Sequence, residues 1–197
     1  MARQPGKRKP RYTVALVGDG YTESIYFTDL RDTDRPEGLR IIPDFPGRIG
    51  SFSGVLDRAM ALKEDFDRVY ALIDMDAVIA QNQQLTYEQH KAVAARGGVI
   101  VLENNPCFEI WLLLHFRQTG RLFHNCNEVV RELRRFIPNY DKSQRFLEAA
   151  GLYHTLLPRL EVHAVLNAQR LELDRDAHDL LYPRAEVYKF FEWYFAR

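Results

Sequence analysis

The stretch "YALIDMDAV" (residues 70–78) passes from aromatic and apolar side chains to two aspartates that are one residue apart. With the two residues before it, it predicts a buried strand over 68–74, because short apolar runs of this kind are typical of the centre of a parallel sheet. Asp74 and Asp76 then lie at the carboxyl end of that strand. Aspartates in such a place either begin a turn or hold a cation, since aspartate is common in turns and at helix caps.

Strand-like and helix-like segments alternate on both sides of this stretch. The other predicted strands are "YTVALVG" (12–18), "LRIIPDF" (39–45) and "VIVLE" (99–103), with helices after the first strand, over 51–66 and over 85–98. Pro43 favours the end of a strand or an edge position, and Thr22 is the expected N-cap of the first helix. This order predicts an α/β fold with a mainly parallel sheet flanked by helices.

After Glu103 the sequence becomes helical in character. The segment "NNPCFEIWLLLHF" (104–116) predicts a helix that starts at Asn-Asn-Pro, because proline is tolerated in the first helical turn. Further helices are expected at about 126–137, 143–157, 159–176 and 184–195. We therefore expect three parts: a basic flexible arm (1–11), an α/β domain (12–120) and a helical C-terminal part packed on it (121–197).

The composition limits the classes of function. Lys and Arg together number 27, as do Asp and Glu, so overall charge gives no support to polyanion binding and any nucleic-acid contact needs a local patch. The longest apolar run, at 110–116, is too short to cross a membrane, which predicts a cytoplasmic protein. Two cysteines make no disulfide framework, and Cys107 is expected to be a reduced, buried thiol.

Acidic residues follow several of the predicted strands. Asp19 comes just after the first strand, with Glu23 one turn further on, and Glu103 ends the fourth. Ligands collect beyond the carboxyl ends of parallel strands, and carboxylates gathered there repel one another unless a cation neutralises them. Residues i and i+2 of a strand point the same way, so Asp74 and Asp76 are expected to face one ion. Mg²⁺ or Mn²⁺ suits such a set of oxygen ligands.

The chain resembles the RloB-like family of bacterial Toprim-type proteins, which are found beside restriction and abortive-infection genes. The matching stretches are "VALVGDGYTESIYFTDL" (14–30), "YALIDMDAV" (70–78) and "NNPCFEIWLLLHF" (104–116), with weaker matches at "NYDK" (139–142) and "RAEVYKFFEWYF" (184–195). The resemblance implies a Toprim-like fold and magnesium-dependent cleavage of a phosphodiester bond in anti-phage defence. DNA and RNA both remain open as the substrate, and a partner ATPase is expected by analogy.

The resemblance also implies roles for individual residues. Asp74 and Asp76 are expected to ligate the metal, and Asp19 and Glu23 complete the catalytic and metal-binding set, with Glu103 added by its position alone. The expected substrate contacts are Asn104, Asn105, Glu109 and Lys142. Relatives usually carry glutamate where this chain has Asp19, in the turn "DGYTE" (19–23). Aspartate is shorter by about 1 Å, and misplacement on that scale costs about 10²-fold in rate.

Two other functions fit the same residues. The first is a non-catalytic sensor or effector that keeps the fold and binds nucleic acid or a phage protein, which the departure at Asp19 favours. The second is phosphoryl hydrolysis on a nucleotide or another small phosphorylated molecule. Ser-His-Asp hydrolysis and a phosphate-binding P-loop find no support, because the chain contains neither G-x-S-x-G nor G-x-x-x-x-G-K-[ST].

Overall fold

The computed structural model describes residues 11–47, 50–174 and 179–197. The predicted basic arm lies outside these ranges apart from Arg11. Five strands form one sheet in the order β2-β1-β3-β4-β5, where the strands are Tyr12–Val17 (β1), Leu39–Asp44 (β2), Arg68–Asp74 (β3), Ile100–Asn105 (β4) and Arg184–Ala185 (β5). The first four are parallel and β5 pairs antiparallel with β4. The predicted α/β fold with a mainly parallel sheet is confirmed, and Pro43 lies in an edge strand as expected.

Helices flank the sheet and fill the C-terminal part. They are Tyr21–Asp34 (α1), Phe52–Leu62 (α2), Met75–Ala80 (α3), Gln84–Arg96 (α4), Glu109–Leu114 (α5), Cys126–Leu133 (α6), Gln144–Ala150 (α7), Leu152–Leu156 (α8), Leu166–Asp174 (α9) and Val187–Phe195 (α10). A 3₁₀ turn and a π-helical turn join α8 to α9. Ser51, Asn125 and Ser143 cap α2, α6 and α7, because each side chain accepts a hydrogen bond from a backbone N–H of the first turn.

The two faces of the sheet are covered differently. On one face, β1 and β3 pack Val17, Ala71 and Ile73 against α2 and α4. On the other face, Leu16 and Leu72 belong to a larger apolar cluster that includes α1, α5 and the C-terminal helices. Residues from 108 to 191 therefore share a core with the sheet. The division of the chain at residue 120 stays a prediction.

Several local predictions were wrong. Asn104 and Asn105 are the last residues of β4, and the next helix begins at Glu109, because the two asparagines continue the strand pairing with β3 and β5. Residues 184–185, predicted as helix, form β5. Gly20, and not Thr22, occupies the N-cap of α1, so Thr22 lies inside the first helical turn.

The cysteines differ from expectation as well. Cys107 and Cys126 are joined by a disulfide, although the sequence predicted a reduced thiol at Cys107. Their separation of 19 residues gave no signal, because the loop from α5 to α6 brings them together only in the folded chain. Across the described ranges, none of the helices combines the length and the apolar character that a membrane crossing requires.

Candidate metal centre

Three aspartates line the crevice between β1 and β3. The strand order changes direction here, since β1 has β2 on one side and β3 on the other. Ligands of open α/β sheets bind at such a point, beyond the carboxyl ends of the strands. A cavity of about 190 Å³ occupies the crevice, and Asp19, Asp74 and Asp76 line it together with the start of α2. The structure thus brings together the three aspartates that the sequence singled out.

Asp76 reaches this cavity by a route that the sequence did not predict. Asp74 ends β3, but Asp76 lies in the first turn of α3, so strand alternation does not orient the pair. The Asp76 backbone N–H donates to the Pro106 carbonyl at 3.0 Å, which ties the start of α3 to the end of β4. Asp74 carries a buried Oδ1 atom that has no hydrogen-bond partner among the residues that the structure describes. The Asp74 residue also lines the cavity.

Glu23 lies next to the aspartates on α1 and is only 4% exposed. Its carboxylate folds back over Gly20, where an added Cβ would lie 2.1 Å from Oε2. Gly20 is needed here for space and not for its backbone angles, since its φ of −95° suits any residue. The DG of "DGYTE" therefore has a steric reason, because the glycine leaves room for the Glu23 carboxylate.

Glu109 connects the sheet face to the C-terminal helices. It is fully buried at the start of α5, and its Oε1 accepts hydrogen bonds from Thr22 Oγ1 and Tyr140 Oη, both at 2.9 Å. Lys142 Nζ donates to its Oε2 at 3.1 Å. A buried carboxylate with three donors is fixed in place, because each lost bond would leave a charged oxygen without a partner. Glu109 thus joins α1, α5 and the segment before α7.

The buried carboxyl groups are coupled electrostatically. Burial, followed by the charge of Glu109, raises the pKa of Glu23 to about 8. Burial, followed by Glu23 and Glu109, raises the pKa of Asp74 well above its ordinary value, and burial also raises the pKa of Asp76. Partial burial opposes the charge on Lys142, but Glu109 raises the pKa of that ammonium. One lysine thus faces several carboxylates, and a bound cation would favour their charged forms.

Asn104 lies beside Asp74 in the sheet, while Asn105 has a different task. Asn104 pairs in register with Asp74 and is fully buried, and within the described ranges neither its amide nitrogen nor its oxygen has a hydrogen-bond partner. Asn105 Nδ2 donates to the Leu180 and Tyr182 carbonyls, both at 2.8 Å, and so ties β4 to the segment before β5. Of the two, Asn104 is the one that lies in register with Asp74.

Glu103 is not part of this cluster. It alternates to the other face of the sheet, where Arg184 and Lys91 form ion pairs with its carboxylate and Tyr87 donates to it at 2.9 Å. Burial opposes its charge, yet Arg184 and Lys91 hold the pKa of Glu103 below its ordinary value. Its acceptor positions are used, so we leave Glu103 out of the proposed ligand set.

Sequence reasoning missed two contributors to the site, Tyr140 and Thr22. Both hold Glu109, and both lie in stretches that carried the family resemblance, "NYDK" and "DGYTES". The only signal in the sequence was the joint occurrence of these stretches with "NNPCFE". Their shared role is visible only in the folded chain, where Thr22 and Tyr140 both contact the carboxylate of Glu109, which the "NNPCFE" block carries.

The residues at the crevice fit a divalent metal that prefers oxygen ligands. Asp74 offers a buried carboxylate oxygen that has no partner, and Asp19 and Asp76 line the same cavity. Hard cations such as Mg²⁺ and Mn²⁺ take carboxylate oxygens and retain water molecules. These donors are of the type that the predicted cofactor requires, and the cofactor itself stays a prediction.

A comparison with protein-family models identifies the family of the chain. The model described as "RloB-like protein" matches residues 14–192. The chain belongs to the RloB-like family. The match confirms the resemblance that the "NNPCFE" block carried, and it includes every residue of the candidate centre. Neither the curated proteins nor the solved structures contain a match to this RloB-like chain.

We predict that Gly20→Ala weakens metal binding with little change in stability. The new Cβ would displace the Glu23 carboxylate, the far end of a flexible side chain, so the site changes more than the fold. Isothermal titration with Mn²⁺ and urea unfolding measure the two effects. Gly47→Ala is the matched control, because its Cβ would meet nothing within 4 Å. Equal Mn²⁺ affinity in both variants would contradict the role of Gly20.

The raised pKa of Glu23 predicts a pH dependence of stability. Since the folded pKa is about 8 against an ordinary 4.5, this contribution is fully present below pH 4.5 and is lost as the pH rises through 8. It amounts to at most about 5 kcal/mol. We expect the metal-free protein to unfold several degrees lower at pH 8.5 than at pH 5.5, as measured by calorimetry in EDTA.

Glu23→Gln tests whether Glu23 causes that dependence. The variant should reduce the difference in unfolding temperature between pH 5.5 and pH 8.5, whereas Glu64→Gln, at an exposed position, should keep that difference. The same slope in wild type and Glu23→Gln would assign the effect to other groups.

Because Glu103 lies outside the proposed ligand set, we predict that replacing it lowers the stability of the fold and leaves metal binding unchanged. Glu103→Gln leaves Arg184 buried without its counter-charge, which should cost about 3–5 kcal/mol in urea unfolding. Asp32→Asn breaks the exposed ion pair with Arg31 and should cost less than about 1 kcal/mol. A weaker Mn²⁺ affinity in folded Glu103→Gln would return Glu103 to the ligand set.

Proposed function

We propose that this protein is a magnesium-dependent phosphodiesterase of the Toprim type that cleaves DNA or RNA in anti-phage defence. The observation that carries the proposal is the convergence of Asp19, Asp74 and Asp76 at the β1/β3 crevice, with Glu23 buried beside them. Membership of the RloB-like family supports the same chemistry.

The aspartates are the proposed metal ligands. Asp74 and Asp76 come from the junction of β3 and α3, and Asp19 comes from the turn after β1, so two separate backbone segments fix the ligand positions. A bound Mg²⁺ or Mn²⁺ would supply Lewis acidity toward the phosphate and a bound water of lowered pKa. The protein holds these ligands at a strand end, a helix start and the turn after β1.

The other residues act on the substrate and on protons. Glu23, buried beside the aspartates, is the proposed group that takes or gives a proton during hydrolysis. Lys142 is about half exposed and is held by Glu109, so its ammonium can face the phosphate and offset negative charge there. Asn104, with a buried and unpartnered amide beside Asp74, is the proposed third substrate contact.

The residue at position 19 determines whether the proposed metal site cleaves a substrate or only binds it. Its side chain is exposed at the mouth of the cavity, in the place where relatives usually carry a longer glutamate. The exposed position leaves room for the side chain to adjust toward a bound ion. We therefore keep Asp19 among the ligands and expect a rate lower than its glutamate counterpart would give.

Cleavage assays test this proposal directly. We expect purified protein to cleave at least one of DNA, tRNA or total RNA with Mg²⁺ or Mn²⁺, and to lose the activity in EDTA. Asp74→Asn and Asp76→Asn should each reduce the rate by at least about 10²-fold, because each removes a charged ligand. Asp65→Asn, at an exposed turn after α2, should leave it unchanged.

Two further variants separate the competing functions. Asp19→Glu should raise the rate, and Lys142→Met should lower it. Nucleic-acid binding that needs neither metal nor Asp74 and gives no cleavage would favour the sensor function. Release of phosphate from nucleotides, with polymers left intact, would favour phosphoryl hydrolysis on a small molecule.

A further inference from the structure

The disulfide between Cys107 and Cys126 lies directly against the candidate centre. Cys107 is buried two residues before Glu109, and Cys126 is the first residue of α6 and is partly exposed. The bridge therefore connects the segment that carries Glu109 to a helix in the C-terminal part. Of the two cysteines, Cys126 is thus the more exposed.

The sulfur of Cys126 contacts the two side chains that anchor the site. It lies 3.0 Å from Glu109 Oε2 and 3.5 Å from Lys142 Nζ. Cys107, Glu109 and Cys126 form one compact group, with the two sulfurs and the carboxylate oxygen within 4.8 Å of one another. Any change at this sulfur must act on the Glu109–Lys142 pair, because both partners of that pair contact it.

We propose that Cys107 and Cys126 form a redox-active dithiol site that reacts with small dithiols and disulfides and sets the geometry of Glu109 and Lys142. The exchange chemistry itself is independent of the proposed nuclease activity. Its effect on cleavage rests on that proposed function, and its effect on metal binding does not require cleavage.

The reaction balances as a thiol–disulfide exchange. A thiolate of the dithiol attacks the sulfur of Cys126, the more exposed cysteine, the S–S bond breaks, and Cys107 leaves as a thiolate that takes up a proton. The second thiolate of the reagent then attacks its own sulfur in the mixed disulfide. This step releases Cys126 and forms the cyclic disulfide of the reagent. A small disulfide reverses both steps and is itself reduced to thiols.

Reduction alters the site in two ways. The start of α6 is no longer bonded to the segment before Glu109, so α5 and α6 can separate. Cys126 also gains an S–H group next to Glu109 Oε2, where it competes with Lys142 as a donor. The oxidised form should therefore hold the Glu109–Lys142 pair more firmly, and the metal site beside it should be better ordered.

A disulfide that only closes a loop would behave differently. Such a bridge stabilises by restricting the unfolded chain and has no effect on the affinity of a molecule that stays folded. The proposal requires that the folded protein itself differs between the two redox states. Metal affinity, measured on folded protein, separates the two cases.

The experiment compares oxidised and reduced full-length protein. Dithiothreitol reduces one sample and is removed by gel filtration under argon, and thiol counting in denaturant confirms two free thiols against none. Near-UV circular dichroism confirms that both are folded. We expect the reduced protein to bind Mn²⁺ on the order of tenfold more weakly by isothermal titration, the scale typical of lost outer-shell contacts. Hydrogen exchange should be faster in peptides covering 104–116 and 139–146.

Cysteine variants provide the matched controls. Cys107→Ser and Cys126→Ser should each resemble the reduced protein under both conditions, and the double variant should not respond to dithiothreitol. Equal Mn²⁺ affinity and equal hydrogen exchange in the two wild-type forms would overturn the proposal, as would a response of the double variant. If neither form cleaves nucleic acid but the exchange rates still differ, the proposed function fails and the redox site stands.

Discussion

The buried carboxylate of Glu109 is the interaction on which the rest of the site depends. It accepts from Thr22 and Tyr140 and pairs with Lys142, so the first helix and the segment before α7 are held to one point. Removing water from a charged group is costly unless every lone pair finds a donor. The chain meets that requirement with donors from two separate parts of the sequence, α1 and the segment before α7.

The same burial that fixes Glu109 makes the neighbouring carboxyl groups difficult to charge. Glu23 and Asp74 have raised pKa values because they are desolvated and lie close to like charges. Groups whose pKa values are pushed away from their ordinary range concentrate at functional sites, although ion-pair networks also perturb them. Glu103 belongs to such an ion-pair network within this protein. Its charge is paired on the opposite face of the sheet, and its pKa is lowered and not raised.

Successive side chains of β4 point to opposite faces of the sheet, and this separates the ion pairs of Glu103 from the crevice. Glu103 points toward α4 and forms ion pairs with Lys91 of α4 and Arg184 of β5. Asn104 lies on the same face as Asp74. Adjacent residues of one strand thus serve structure on one side and the crevice on the other. The disulfide adds a covalent connection on the crevice side, where Cys126 contacts both Glu109 and Lys142. The site is therefore bounded by hydrogen bonds, ion pairs and one bond that thiol chemistry can break.

The sequence by itself determined the succession of the first four strands and the helices between them, the α/β class and the family, because apolar periodicity and the "NNPCFE" block are local features. It also placed Asp19, Asp74 and Asp76 at one edge, since parallel strands share their carboxyl ends. It did not determine that Asp76 is helical, that Glu103 faces away, or that Cys107 bonds to Cys126. Those depend on the chain path after β3 and β4 and on contacts between residues far apart in sequence. Tertiary structure alone decided which carboxylates are paired and which remain available to an ion, because pairing is set by distance in space.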